Sequence, residues 1–261
     1  MDENYYNTFD LPIPYKNLLL YPIKVKDYLF FSTYAQCLTI DKNSIPDPKI
    51  ISMTDLEYIY TKSIEDINKY PYLLYLDRML ALCLKDDTSF NNIEESIKRY
   101  SFDENQKPFF IINGEKFTSK DFLQLKNLIA RQDMVELIDE SVSKDVRDSL
   151  EKARLYKSKR SGNKSVSYED YIVSLSSVTG WTCEYIYEMT IRKFLKTIKR
   201  VDNYMHYKIY LAASMSGMVE FKDKSFIKHW LSNIDTDDKY EGVSVDLDKV
   251  KNTISFESAK K

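Results

Sequence analysis

One stretch constrains the fold of this chain more than any other. Tyr187, Ile191, Phe194, Ile198, Val201, Met205, Ile209 and Ala212 recur at steps of three and four residues. That is the period of a single helical face, so the sequence predicts a long amphipathic helix, or two helices with a break near Asp202-Asn203. Arg192, Lys193, Lys196, Lys199 and Arg200 fall largely on the opposite face, and Gly217 suits the C-terminal cap. Such a helix cannot bury its apolar stripe alone, which directs the chain towards helix-on-helix or helix-on-sheet packing.

Helix-start signals recur along the rest of the chain. Thr54-Asp55-Leu56-Glu57 is a capping box, in which hydroxyl and carboxylate each satisfy an orphan amide. It opens a helix to about Asn68. Pro71 fits the first turn of the next helix, whose Leu73, Leu74, Leu76, Leu80 and Leu84 make it the most apolar of the chain. Thr118 or Ser119 caps a helix through Phe122, Leu125, Leu128 and Ile129. Ser167 to Asp170 starts another, ending near Gly180, and Thr182 caps the one after it, with Trp181 placed to staple against Ile186. Earlier, residues 27–38 read as a helix with Leu29, Phe30, Tyr34 and Cys37 or Leu38 on one face, and Pro46 and Pro48 break the chain after it.

Signals for β-structure are few. Pro12, Pro14 and Pro22 frame extended chain with a strand near 17–21. Phe109-Phe110-Ile111-Ile112-Asn113-Gly114-Glu115-Lys116-Phe117 reads as a hairpin, since Asn-Gly supplies the positive φ angles of a two-residue turn. The expected fold class is therefore mainly α: a helical protein with a small β hairpin and a short N-terminal strand.

With 261 residues the chain is long enough for one large or two small domains. Residues 1–157 read as an N-terminal α(+β) domain with the hairpin near 109–117. Residues 158–166 read as a basic linker, because the stretch 144–164 carries a net charge of +5 and ends in small polar residues. Residues 167–234 then form a C-terminal helical module. Residues 235–261 form an acidic tail, with six acids against one lysine over 235–248.

Composition narrows function chiefly by exclusion. There are five glycines, at 114, 162, 180, 217 and 242, and no two lie close enough for a phosphate-cradling loop. Each reads as an ordinary structural position. Gly114 falls in a hairpin turn, Gly162 in the linker, Gly180 and Gly217 at helix ends, and Gly242 in the tail. Lys and Arg total 38 against 40 Asp and Glu, a near-neutral balance that argues against a dedicated nucleic-acid or membrane-surface binder. Cys37, Cys83 and Cys183 are odd in number and far apart, which reads as free thiols and not a disulfide framework. The N-terminus MDENYYNTFD lacks the basic and apolar regions of a signal peptide, and no apolar run approaches a membrane span.

No constellation of catalytic residues emerges. Only His206 and His229 are present, without zinc-ligand spacing, and adjacent acids such as Asp86-Asp87 and Glu94-Glu95 read as solvated. The expected catalytic, cofactor and metal sites are none. The basic stretches 152–164 and 192–200 lack the interleaved aromatics of a single-strand binder and read as solvated faces. Segment 221–231 is more specific: Phe226, Ile227, Trp230 and Leu231 make a short amphipathic helix. It either caps the C-terminal helices or anchors a protein partner, as aromatic residues do at interface hot spots. Trp181 joins these four as a candidate partner-binding residue.

Two regions resemble a known family. Leu11-Pro12-Ile13-Pro14, a short apolar strand and Tyr21-Pro22-Ile23-Lys24-Val25-Lys26-Asp27 resemble the opening of the baseplate hub assembly chaperones of contractile-tailed phages. Thr179-Gly180-Trp181 followed by Met189-Thr190-Ile191-Arg192-Lys193-Phe194 is similar to the C-terminal helical modules of phage tail assembly chaperones. The resemblance implies a non-enzymatic morphogenesis factor, without cofactor, in the cytoplasm of the infected host cell. Its partner would be a tail or baseplate protein of hub or tape-measure type, with neither membrane nor nucleic acid. The alternative is a structural baseplate or tail component in the virion tail.

Overall fold

The computed structural model describes residues 3–42, 45, 47–86, 99–139, 142, 144–160, 166–216, 227 and 229–233. Gly162, Gly217, Gly242, Phe226 and the tail 235–261 lie outside them. The protein is mainly α with two small antiparallel sheets. Packing divides the chain into two units, 1–141 with 167–198, and 142–166 with 199–261.

The first unit opens with helix α1 (Glu3–Thr8) and strands β1 (Ile13–Tyr15) and β2 (Leu18–Leu20). The expected single strand is thus a hairpin, pairing Ile13 with Leu20 and Tyr15 with Leu18. Lys16 takes the positive φ that its two-residue turn requires. Leu18 and Leu20 point into the core while Leu19 faces out, the two-residue alternation of a strand.

Helix α2 (Tyr28–Tyr34) is flanked by 3-10 turns at Val25–Asp27 and Ala35–Leu38. Here the expected face is wrong: Phe31, Ala35, Cys37 and Leu38 are buried, while Leu29 and Phe30 are 58% and 65% exposed. The buried Phe31, Ala35 and Leu38 recur at steps of four and three, so the helical period holds and the covered face is offset from the one read in the sequence. Pro48 does not merely break the chain. It occupies the first position of α3 (Pro48–Ser52), where its missing N–H costs nothing, with Asp47 as the cap.

Helix α4 (Asp55–Glu65) begins with both hydrogen bonds of the Thr54–Glu57 capping box. In α5 (Tyr72–Leu84) Pro71 sits at the cap, one residue earlier than expected, and Leu73, Leu76, Met79 and Leu80 are buried. The predicted hairpin is β4 (Pro108–Ile112) and β5 (Glu115–Thr118), with Asn113 and Gly114 at φ of 51° and 76°. Strand β3 (Tyr100–Phe102) extends it to a three-stranded sheet in the order β3-β4-β5. Phe110 pairs with Phe117 across the hairpin, their rings stacked at 5.2 Å, and Phe122 meets Phe110 edge-on. Phe122 belongs to α6 (Ser119–Asp133), which starts with a Thr118–Asp121 capping box and buries Leu125, Leu128 and Ile129 alongside it.

Helix α7 (Lys144–Arg160) belongs to the second unit, so the first three residues of the expected linker 158–166 are helical. Helix α8 (Tyr168–Thr179) carries a Ser167–Asp170 capping box and ends at Gly180, φ 75°. Thr182 caps α9 (Cys183–Glu188), and α10 runs unbroken from Ile191 to Met215, through Asp202-Asn203. Residues 189–191 lie antiparallel to 23–25. Val25 N donates to Met189 O at 2.9 Å and Ile191 N to Ile23 O at 2.8 Å. The Tyr168 hydroxyl donates to Val25 O at 3.0 Å. Residues 167–198 therefore pack within the first unit, together with the N-terminal strands.

Candidate interaction surface

Trp181 follows the left-handed Gly180, and α8 holds its backbone on both sides. The Ser176 hydroxyl donates to Trp181 O at 2.6 Å, and Trp181 N donates to the Thr179 hydroxyl at 3.3 Å. Its ring, 37% exposed, stands edge-on to Tyr185 at 5.4 Å. Ile186, the expected staple partner, is fully buried, and the exposed Tyr185 makes the ring contact with Trp181. The result is an exposed aromatic pair on a backbone fixed by two side chains, a rigid anchor with little entropy left to lose on binding. Close by in the chain, Glu188 forms ion pairs with Lys24 and Lys26. The hydrogen bonds from Lys24 and then Lys26 draw its carboxyl down to about 2.

Most of the segment 221–231, where a short helix is expected, lies outside the described residues; in the second unit residues 229–233 form a turn. Arg200 on α10 holds this turn. Its guanidinium donates from one nitrogen to Trp230 O and, at 2.9 Å, to Ser232 O, consuming carbonyls that a helix would use internally. The Trp230 ring meets Tyr204 edge-on at 5.7 Å, and His229 meets Tyr207 at 5.2 Å. Arg200, Tyr204 and Tyr207 lie four and three residues apart, so one face of α10 carries the turn. Ile227 and Trp230 are half-buried and Leu231 is 60% exposed. Trp230 thus rests against α10, and of these three residues Leu231 is the one turned outward.

Farther along, α10 exposes its own apolar stripe. Met205 and Ile209 are 45% and 62% exposed, and Met215 is 78% exposed. The opposite, basic face is partly committed within the protein: Arg192 donates to Arg131 O at 2.6 Å, and Lys193 pairs with Asp10. Arg200 belongs to that face by sequence, yet it serves as a carbonyl clamp, a role that sequence reasoning misses. The step from Arg200 to Tyr204 and Tyr207 is the available signal, but the partner of Arg200 lies 30 residues away.

Among the described residues no group of three His, Cys, Asp or Glu side chains could hold a metal ion. His206 lies 3.4 Å from Asp202 one turn back on α10. Cys37 and Cys83 are buried free thiols and Cys183 is half-buried. No helix of the described residues is long and apolar enough to cross a membrane.

Comparison with known proteins gives a likeness for the C-terminal part of the chain. Residues 157–235 match the family model of the YomV second domain, from a phage-associated Bacillus protein. The match is phage-related, covers less than half the chain, and takes in α8, α9, α10 and the 229–233 turn. No curated protein and no solved structure matches the chain.

Proposed function

We propose that this protein is a non-enzymatic phage morphogenesis factor that binds a tail or baseplate protein, of hub or tape-measure type, before assembly. One observation carries the reading: the phage-related span 157–235 is also where Trp181, Tyr185, Ile209 and Leu231 stand exposed. Exposed aromatic and aliphatic side chains on a fixed backbone suit transient cover of a partner's apolar surface. The intramolecular use of Arg192, Lys193 and Arg200 supports a protein partner over nucleic acid, since those cations are already engaged. The site of action is the cytoplasm of the infected cell.

The test is affinity capture of the tagged chain from infected cells, alongside mass spectrometry of purified virions. A tail or baseplate protein co-purifies with the wild-type chain, the Trp181→Ala/Tyr185→Ala variant loses it, and finished particles lack the chain. Stoichiometric presence in virions would replace this reading with that of a structural baseplate or tail component. Capture of no virion or morphogenesis protein would overturn both.

A further inference from the structure

The first unit contains a cavity of about 840 Å³ that the interaction surface does not use. It lies between the starts of α4 and α6, the β4–β5 hairpin and residues 137–139. That volume is in the range of pockets that enclose a small organic ligand.

Its floor is charged and buried. Asp55, the first residue of α4, takes Lys42 Nζ on one oxygen at 2.7 Å and Lys126 Nζ on the other at 2.6 Å. Lys42 and Lys126 are only 8% and 9% exposed, and both line the cavity. Lys42 also donates to Met53 O at 2.9 Å. Lys126 makes a single hydrogen bond, to Asp55, although an ammonium carries three donors. Two N–H groups of a nine-tenths-buried cation therefore have no acceptor among the described residues. Buried donors left in that state are costly, and a ligand oxygen would relieve the cost.

The rim repeats the sign. Lys107, Lys116 and Lys120 line the cavity and make no ion pair among the described residues, and Lys116 Nζ sits 3.9 Å from the centre of the Phe109 ring. Most of the lining carboxylates are committed elsewhere. Asp55 holds the two lysines, Glu57 accepts from Thr54 N at 2.7 Å, and Asp103 accepts from Asn105 N and Lys107 N. Asp139 completes the acids of the lining. The rest of the wall is apolar: Phe109, Leu123, Leu137 and Ile138, of which Leu123 is 51% exposed.

We propose that this cavity binds an amphipathic organic anion, its carboxylate or phosphate held by Lys126 and the rim lysines and its apolar body by the Phe109–Leu123 wall. An inorganic anion would leave the apolar wall in water. A neutral apolar molecule would leave the Lys126 donors unpaired. Both halves of the ligand are needed.

The experiment is fluorescence titration of the full chain with 8-anilino-1-naphthalenesulfonate, which joins an aromatic body to an anion. Uncharged N-phenyl-1-naphthylamine and inorganic phosphate serve as comparators. The sulfonate binds one site, about tenfold tighter than the uncharged analogue, and added salt weakens it. Lys107→Gln/Lys120→Gln and Leu123→Glu, all at solvent-facing positions, each weaken binding about tenfold, whereas Ile64→Glu, exposed and outside this lining, leaves it unchanged. Circular dichroism of each variant checks that the fold is kept. Equal sulfonate affinity in the folded rim variants and the wild type would overturn the proposal. So would an uncharged analogue that binds as tightly.

Discussion

Helices α6 and α10 each carry one apolar stripe, and the protein uses the two differently. In α6 the residues Phe122, Leu125, Leu128 and Ile129 are all buried, closed against α4 and β5. In α10 only Ile191 and Phe194 are buried, Ile198 and Val201 are half-buried, and Met205 and Ile209 face solvent. Enclosing one large apolar side chain contributes about 1.5–3 kcal/mol, so the α6 stripe is a main source of first-unit stability. The outer turns of α10 gain little of that and depend on their own hydrogen bonds and the Arg200 clamp. An apolar stripe is thus a requirement for a partner. The chain supplies that partner for α6 and, along the outer half of α10, leaves it unsupplied.

The sharpest way to break this comparison is to cut into both stripes. Phe122→Ala leaves a cavity in the closed region and costs about 3–5 kcal/mol, read as a fall in the urea midpoint. Ile209→Ser stays within about 0.5 kcal/mol. Equal losses would mean that the outer stripe is as closed as the inner one.

Asp133, the last residue of α6, tests how dry the closed region is. One carboxylate oxygen accepts from Ile23 N at 2.8 Å, the other has no partner among the described residues, and burial pushes the group up to about 7. A carboxyl raised in the folded state favours folding fully below its unfolded value near 4, and that advantage is lost as pH rises through 7. The wild type therefore weakens between pH 4 and pH 8 relative to Asp133→Asn, by at most roughly 4 kcal/mol. Urea midpoints of both proteins across that range check it, and parallel curves would count against a dry site.

A smaller, local effect belongs to the turn carried by α10. Arg200→Ala removes both carbonyl contacts of the 229–233 turn at a local cost of about 1–2 kcal/mol. Hydrogen exchange quickens at the amides of 229–232, while α6 keeps its protection.

Much of this architecture is legible from local chemistry. The three capping boxes at Thr54, Thr118 and Ser167, the Asn113-Gly114 turn and the apolar faces of α5 and α6 each rest on a few adjacent residues. What escapes depends on distant partners or on which of two apolar faces is covered. Strand β3 is three residues long and has no alternation to read until it pairs with β4. The α2 face misleads because two adjacent faces are apolar: Phe31, Ala35 and Leu38 are covered, leaving Leu29 and Phe30 outside. In the candidate surface, Trp181 and Leu231 are exposed. The inward turn of Trp230 depends on Arg200, whose bonding no local pattern announces.

The pairing of residues 23–25 with 189–191 also sets an order of events during synthesis. Lys24 and Glu188 are 164 residues apart. At about 5–20 residues per second, the ribosome takes on the order of ten to thirty seconds to deliver the second after the first. Ile23 and Val25, at most 3% exposed in the finished protein, spend that interval without the segment that covers them. The first unit therefore closes late, sealed by a stretch made long after its core helices, and the nascent chain passes through a stage in which residues 23–25 are the open edge.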